Sequence, residues 1–299
     1  MSAQRTVRVP ASSANLGPGF DTLGLALEIF LECRFTPAPN LRISASGLDS
    51  ESVPLDESNL IWQTAERVAR GEGKTMPPQA IEVVNEIPIG KGLGSSAAAL
   101  IAGVAIANEA LELGWDEHRL LDEAARIEGH PDNVAAAVLG SMTTAAIGAN
   151  DVTQAVRLEI PDSFSIAVVT PSFELPTTEM RTVLPECYSK EDAVFNLQRA
   201  TLLVAALATG KKEVFPEALS DRLHQPFRAA QVPGMEAILK LRAPGLLGCA
   251  LSGAGPSILV FFETGSREVV DLVCGEFEPA GQSVEVRYPK IDREGLVVR

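Results

Sequence analysis

Pro88-Ile89-Gly90-Lys91-Gly92-Leu93-Gly94-Ser95-Ser96-Ala97-Ala98-Ala99 leads into an apolar run, Ala97 to Ala107, interrupted only by Gly103. An alanine-rich run of that length reads as a helix. Ser95 or Ser96 falls where its N-cap belongs, with free backbone N–H groups and the positive end of the dipole directed back at the loop. Glycine reaches positive φ and lets a backbone approach a ligand closely. Three alternating glycines feeding a helix N-terminus therefore make an anion cradle, most simply for phosphates. A ligand-free strand-to-helix turn is the plainer reading of a single Gly-x-Gly, and the third glycine, Lys91 and the paired serines count against it. The spacing excludes two familiar loops. The Walker pattern GxxxxGK[ST] needs its lysine later, and the dinucleotide fingerprint GxGxxG needs glycine where Ser95 or Ala97 stands.

Upstream, Ile81–Asn85 alternates as a strand that delivers the chain to this loop, and a helix from Leu60 to about Arg70 is capped by Ser58 or Asn59. Downstream, Asp116 caps a helix over Glu117–Glu128, which ends in Glu128-Gly-His-Pro-Asp-Asn133. Pro131 suits the first turn of a further helix. Asp and Asn at a helix start are often only caps, and a single His is more often a core residue than a functional one. Beside a phosphate loop, however, a nearby carboxylate is what Mg²⁺ requires, because it takes oxygen ligands from protein and phosphate together.

At the N-terminus, Thr6–Val9 reads as a short strand entering a polar, turn-rich loop, Pro10 to Asp21. From Leu23 to Phe35 every odd position is apolar, the pattern of a long half-buried strand. After a shift in composition near Asn150 come strands at Val156–Ile160, Ser165–Thr170, Leu246–Leu251, Ser257–Phe262 and Ser283–Tyr288, and helices near 191–208 and 266–277. Strands and helices mix without a regular βα repeat, so the expectation is an α+β fold in two domains, divided at 155/156.

With 299 residues, 46% of them hydrophobic, the chain can bury a large core, and with 5% aromatics that core must be aliphatic. A net charge of −14 argues against duplex nucleic acid as a partner. It does not exclude a nucleotide, since screening confines bulk repulsion to about 8 Å at physiological salt. The four cysteines, Cys33, Cys187, Cys249 and Cys274, have no metal-ligand spacing and read as reduced thiols. No apolar signal core opens the chain, and no run reaches the ~20 residues that span a bilayer. A soluble, cytoplasmic protein without a membrane partner is expected.

Three motifs stand in order: Pro10–Asp21, Pro88–Ala98 and Leu251-Ser-Gly-Ala-Gly-Pro-Ser257. Together they resemble the GHMP small-molecule kinases over nearly the whole chain. Within that family, PASSANLGPGFDTLGLAL (10–27) and EGHPDNV (128–134) are most similar to the members that act on homoserine. The resemblance implies an N-terminal GHMP domain carrying the ATP phosphate loop, 1–155, and a ferredoxin-like C-terminal domain, 156–299. It implies that Ile89, Gly90, Lys91, Gly92, Leu93, Gly94, Ser95, Ser96, Ala97, Ala98 and Ala99 wrap the ATP phosphates, with Asn59 near the adenine and Gly253 and Gly255 supporting the phosphates from the second domain. Ser96 and Glu128 would hold Mg²⁺. Asn15, Asp21, His130 and Asn133 would face homoserine, Asp21 at its ammonium, and Arg181 and Arg228 would meet its carboxylate. Asp132 or Asp21 could take the hydroxyl proton. The chain departs from many relatives in placing Glu128 almost adjacent to His130. Alternatives at this stage are another kinase of the group, acting on mevalonate or a sugar, and a non-catalytic member that binds nucleotide or metabolite. A homodimer is left open.

Overall fold

The computed structural model describes residues 4–175 and 177–299. Their strands form two sheets. The first takes β1 (Arg5–Ala14), β2 (Leu23–Pro37), β3 (Arg42–Gly47), β4 (Gln79–Asn85), β5 (Met142–Ile147) and β6 (Thr153–Leu158). The second takes β7 (Ser165–Pro171), β8 (Leu246–Leu251), β9 (Ile258–Phe262) and β10 (Val284–Arg287), and β11 (Val297–Val298) returns to the edge of the first beside β1. Helices α1 (Leu60–Gly71), α2 (Ser95–Ala110), α3 (Glu117–Glu128) and α4 (Asp132–Leu139) fall within the first part of the chain. Helices α5 (Thr177–Thr182), α6 (Lys190–Thr209), α7 (Phe215–Ala218), α8 (Gln225–Arg228), α9 (Met235–Lys240) and α10 (Val269–Gly275) accompany the second sheet.

The fifteen-residue β2 is the spine of the first sheet. It pairs antiparallel with β1 along its length, with β4 over residues 31–37 and with β5 over residues 23–25. That long partner also corrects the expectation of a loop from Pro10. β1 continues through Pro10-Ala-Ser-Ser-Ala14, with a register shift at Pro10/Ala11, and only Asn15–Thr22 is left as the connection. The small residues allow it. Ala11, Ser12, Ser13 and Ala14 are all buried, and the serine hydroxyls find partners described below. The second sheet has the strand order β10-β7-β9-β8, each pair antiparallel, with helices between β7 and β8 and α10 between β9 and β10. This is the βαββαβ arrangement of a ferredoxin-like unit. The expected division at 155/156 falls inside β6, which belongs to the first sheet, as does β11.

Two layers of core meet at the second sheet. Val168, Ala250, Leu259 and Phe261 face a continuous core that runs from the first sheet to Leu203, Leu207 and Phe215. Ala167, Val169, Leu251, Ile258 and Val260, one step out of phase, face a smaller core under α9 and α10. Both faces being covered explains why β8 and β9 are apolar throughout rather than alternating. The four cysteines are free; burial pushes the Cys33 and Cys249 thiols up to about 12, so they remain protonated.

α2 is the central helix, in contact with α1, α3, α4, β1 and β2. Its residues from Ala97 to Asn108 are almost all buried, as a helix apolar on every side requires, and alanine keeps its neighbours close. The closest approach is at Gly103, where an added Cβ would lie 2.5 Å from Ile61 O and 2.6 Å from Thr64 Cβ. A helical Gly→Ala substitution ordinarily stabilises by about 1 kcal/mol, but forcing backbone apart in a packed core costs about 1–3 kcal/mol. Gly103→Ala should therefore lower the urea midpoint of unfolding. A raised midpoint would show that α1 and α2 can separate at no cost.

Candidate active site

The glycine loop enters the front of α2 differently from the expectation of a serine cap. Gly94, at φ 70°, is the N-cap, so Ser95 and Ser96 occupy the first helical turn. The first helical bond runs from Ala98 N to Gly94 O. The amides of Ser95, Ser96 and Ala97 precede it, the donors that a helix start offers to an anion. The loop's glycines are demanded by protein as well as by ligand. A Cβ on Gly94 would meet Ser12 Oγ at 2.1 Å, and one on Gly92 would meet Ser252 O at 2.3 Å and Gly255 O at 2.8 Å. Ser252 Oγ bonds to Gly92 O (2.7 Å) and to Ser13 Oγ (2.8 Å), Ser257 N donates to Lys91 O, and Ser12 N donates to Leu93 O. Lys91 Nζ is engaged by Pro171 O, Ser172 O and Phe173 O at 3.3, 2.8 and 2.7 Å. Its ammonium clamps the loop to the end of β7, a role the sequence reading did not give it. Ile89 N donates to Asp49 Oδ2 at 3.0 Å.

A cavity of about 340 Å³ opens in front of this loop. Ile89 to Ala97 and Ala99 line it, as do Asn59, Asn15, Asp21, Glu128, His130, Asp132, Asn133, Arg181, Arg228 and Gly253. Ala98 and Gly255 lie outside the lining; Gly255 packs beneath Gly92 instead. At one end, Val53, Pro54, Leu60, Ile61 and Val83 give apolar walls. Asn59 shapes that end rather than reaching into it, because its Oδ1 caps α1 at Ile61 N (3.0 Å) and its Nδ2 holds Pro54 O (2.7 Å).

The other end is polar. Asn15, buried at φ 71°, holds the connection between β1 and β2 in shape: its Oδ1 accepts from Asp21 N and its Nδ2 donates to Gly253 O across the two sheets. Asp21 and Arg181 form a two-point pair with each other, at 3.1 and 2.8 Å, where the sequence reading gave them opposite charges of a substrate. Asn133 Oδ1 accepts from Ser12 Oγ, so it also buttresses the loop. Arg228 is 2% exposed and forms no ion pair among the described residues. Its Nε donates to Met180 O, and its Nη1 donates to Gly253 O and to His224 Nδ1. Burial, with the charge of Arg181, pushes its pKa down to about 10.

The N-terminal and C-terminal models of the GHMP kinases match residues 59–141 and 203–275. A homoserine kinase of Solibacter usitatus is 60% identical over 97% of this chain and 95% of its own length. The chain belongs to the GHMP kinase family. A homoserine kinase of Deinococcus radiodurans is 45% identical over 86% of this chain and 84% of its own. The crystal structure of homoserine kinase from Cytophaga hutchinsonii superposes with a TM-score of 0.83 at 27% identity, covering 100% of this chain and 98% of that one. No helix among the described residues is long and apolar enough to cross a membrane.

In this GHMP kinase the acidic residues gather at the polar end. Asp21, His130 and Asp132 bring ligand atoms within 4.8 Å of one another. His130 Nδ1 is 2.6 Å from Asp132 Oδ1, which also accepts from Asn133 N at 2.8 Å, while His130 Nε2 stands 4.0 Å from Glu128 Oε1. Burial raises the Glu128 pKa, aided by the charge of Asp132 and opposed by His130 and Arg181. Burial works against charge on His130, but its bond to Asp132 and the charges of Asp132, Glu128 and Asp21 outweigh it, so its pKa is raised. Sequence reasoning missed Ser12, Ser13, Ser252 and His224. Ser12 and Ser13 had a signal, since consecutive small polar residues inside a strand mark hydrogen bonding in a dry place; Ser252 and His224 had none.

His130 sets a pH window. A histidine whose folded pKa exceeds its ordinary 6.5 stabilises fully below 6.5 and loses that contribution as pH rises through the folded value. His130→Gln should therefore destabilise the protein more at pH 6 than at pH 8.5 in urea melts. An equal loss at both would mean that folding does not raise the His130 pKa, and a larger loss at pH 8.5 that folding lowers it.

Proposed function

We propose that the chain transfers the γ-phosphoryl group of ATP to the side-chain hydroxyl of L-homoserine, giving O-phospho-L-homoserine and ADP for threonine biosynthesis, as a cytoplasmic enzyme. Arg228 is the observation that carries this reading. Among the described residues this buried guanidinium bonds to carbonyls and an imidazole and lies over the Phe20 ring. Asp21 and Asp221 act on it only at a distance, so its charge lacks a bonded carboxylate. A substrate carboxylate entering the cavity supplies the missing partner with planar, charge-assisted bonds. A neutral sugar would leave it unpaired, and mevalonate, which shares the carboxylate, lacks the ammonium that Asp21 would meet.

The amino acid's ammonium then lies at Asp21. The Asp21–Arg181 pair is about one-third exposed on both sides, and such pairs contribute only about 0–1 kcal/mol, so a zwitterion offering the same charges replaces it readily. The adenine lies against the apolar walls near Val53 and Ile61, and the phosphates lie on the amides of Ser95, Ser96 and Ala97. Phosphoryl transfer runs through a loose transition state, so positioning and charge neutralisation carry most of the catalysis and a strong base is not required. Asp132 accepts the hydroxyl proton as the phosphoryl group arrives, its carboxylate held in orientation by His130 Nδ1 and Asn133 N at Oδ1.

Ser96 and Glu128 fit Mg²⁺ by their chemistry. Both offer hard oxygen donors on the cavity wall, and Glu128 has no basic partner among the described residues nearer than His130 Nε2 at 4.0 Å. When bound, Mg²⁺ neutralises charge on the ATP phosphates.

ADP release measured with homoserine, mevalonate and galactose, with and without Mg²⁺, tests the reading; turnover with mevalonate or galactose but not homoserine would refute it. Ser96→Ala and Glu128→Ala should each lower kcat by about 10²-fold with the fold intact, and unchanged turnover at saturating Mg²⁺ would remove that residue from the site. Arg228→Leu should raise homoserine KM about ten- to a hundredfold, the equivalent of ~1.5–3 kcal/mol for one charge-assisted contact. ATP KM should stay within twofold; a loss of ATP binding instead would place Arg228 in the nucleotide half.

A further inference from the structure

His224 lies at the start of α8 and is completely buried, 0% exposed, yet it belongs to neither the glycine loop nor the acidic cluster. Both of its ring nitrogens are used. Nε2 is 2.7 Å from Gly17 O, a carbonyl that can only accept, so Nε2 carries the hydrogen. Nδ1 is then left with a lone pair, and it stands 3.3 Å from Arg228 Nη1, a group that can only donate. The two contacts require the neutral imidazole with its hydrogen on Nε2, and burial, which lowers the His224 pKa, favours that form. The nearest carboxylate, Asp221, has Oδ2 3.5 Å from Nε2, consistent with the hydrogen there. Its charge is outweighed by burial, and its oxygens accept from the backbone amides of Leu223, His224 and Gln225 and from Asn196 Nδ2. The ring also stacks on Phe20, with centroids 5.3 Å apart and planes at 23°.

Those bonds account for two of the three nitrogens of the Arg228 guanidinium. Nε–H goes to Met180 O, and the two hydrogens of Nη1 go to Gly253 O and His224 Nδ1. Among the described residues Nη2 is the nitrogen left with free hydrogens, on a side chain that lines the cavity. The other end of His224 holds the connection between β1 and β2, through Gly17 O and Phe20, and Asp21 follows directly in that connection. One imidazole therefore ties the anionic and the cationic halves of the polar end to each other.

We propose that His224 is a positioning residue for substrate selection: it aims Arg228 Nη2 into the cavity and fixes its separation from Asp21, so that the site accepts an α-amino acid and rejects alcohols lacking the carboxylate. This rests on the reading that the carboxylate of homoserine meets Arg228.

The test compares His224→Asn and His224→Gln with the wild-type protein, using homoserine and 3-aminopropan-1-ol, which keeps the hydroxyl and ammonium but has no carboxylate. The Asn amide oxygen falls near the Nδ1 position and can still accept from Arg228, whereas the Gln amide falls near Nε2 and restores only the Gly17 contact. His224→Gln should raise homoserine KM at least tenfold, with kcat within threefold and ATP KM within twofold. The preference for homoserine over 3-aminopropan-1-ol in kcat/KM should fall by the same factor, and His224→Asn should recover most of it. Full wild-type preference in His224→Gln, or an equal loss toward homoserine, 3-aminopropan-1-ol and ATP in both variants, would overturn the role of His224. A wild-type protein that turns over homoserine with no preference over the carboxylate-free alcohol would instead overturn the Arg228 reading beneath it. If His224→Gln fails to fold by circular dichroism, His224→Met, which fills much of the ring's volume without an acceptor of that strength for Arg228, should show the same loss of homoserine preference, and full wild-type preference there would overturn the role.

Discussion

Where the Gly90–Gly94 turn crosses the Ser252–Pro256 loop, the Gly92 backbone lies against the backbone of Ser252 and Gly255. Ser252 Oγ reaches both Gly92 O and Ser13 Oγ, Ser257 N closes onto Lys91 O, and Gly253 N donates to Ala14 O. A methyl group at Gly92 would stand 2.3 Å from a carbonyl oxygen, so the contact admits no other residue. The rest of the cavity depends on this crossing. It joins the N-terminus of α2 to the C-terminal half of the chain, which contributes Arg181, Arg228 and Gly253 to the lining. The same crossing recruits Lys91 as a clamp on the end of β7, at the expense of a free charge beside the phosphates.

A chain of net charge −14 holds an anion site here by local means. Helix-terminal amides act within the first turn, where screening has little effect, and the acidic excess is exposed elsewhere. Within the cavity the charges are sorted. Glu128, Asp132 and Asp21 gather around His130, and Arg228 stands apart among carbonyls. The site thus has an apolar part near Ile61 and Val83 and a polar part in which Arg181 pairs with Asp21 beside the acidic cluster while Arg228 bonds to carbonyls and His224.

Much of the local structure followed from the residues alone. The period of two from Leu23 to Phe35 became β2, Asp116 caps α3 by accepting from Arg119 N, and the alanine run became the buried α2. These are short-range effects: alternation, capping and propensity act within a few residues, and the sequence carries them explicitly. Pro10–Ala14 was misjudged because small polar residues suit a turn in isolation. Only a fifteen-residue partner strand and buried hydroxyl partners make them a strand.

The sequence by itself determined which chemistry the chain can hold: an anion cradle before a helix, carboxylates beside it, and two arginines further on. What the tertiary structure decided is how those groups are used. Asp21 and Arg181, 160 residues apart, meet each other; Asn15 and Asn133 spend hydrogen bonds on bracing loops; and Arg228 is left without a carboxylate, held by a histidine that no local pattern marks. The physical reason is that hydrogen bonds and burial are settled between segments distant in sequence. A residue's type states what it can donate or accept, and only the packed fold states which of those capacities remain free for a substrate.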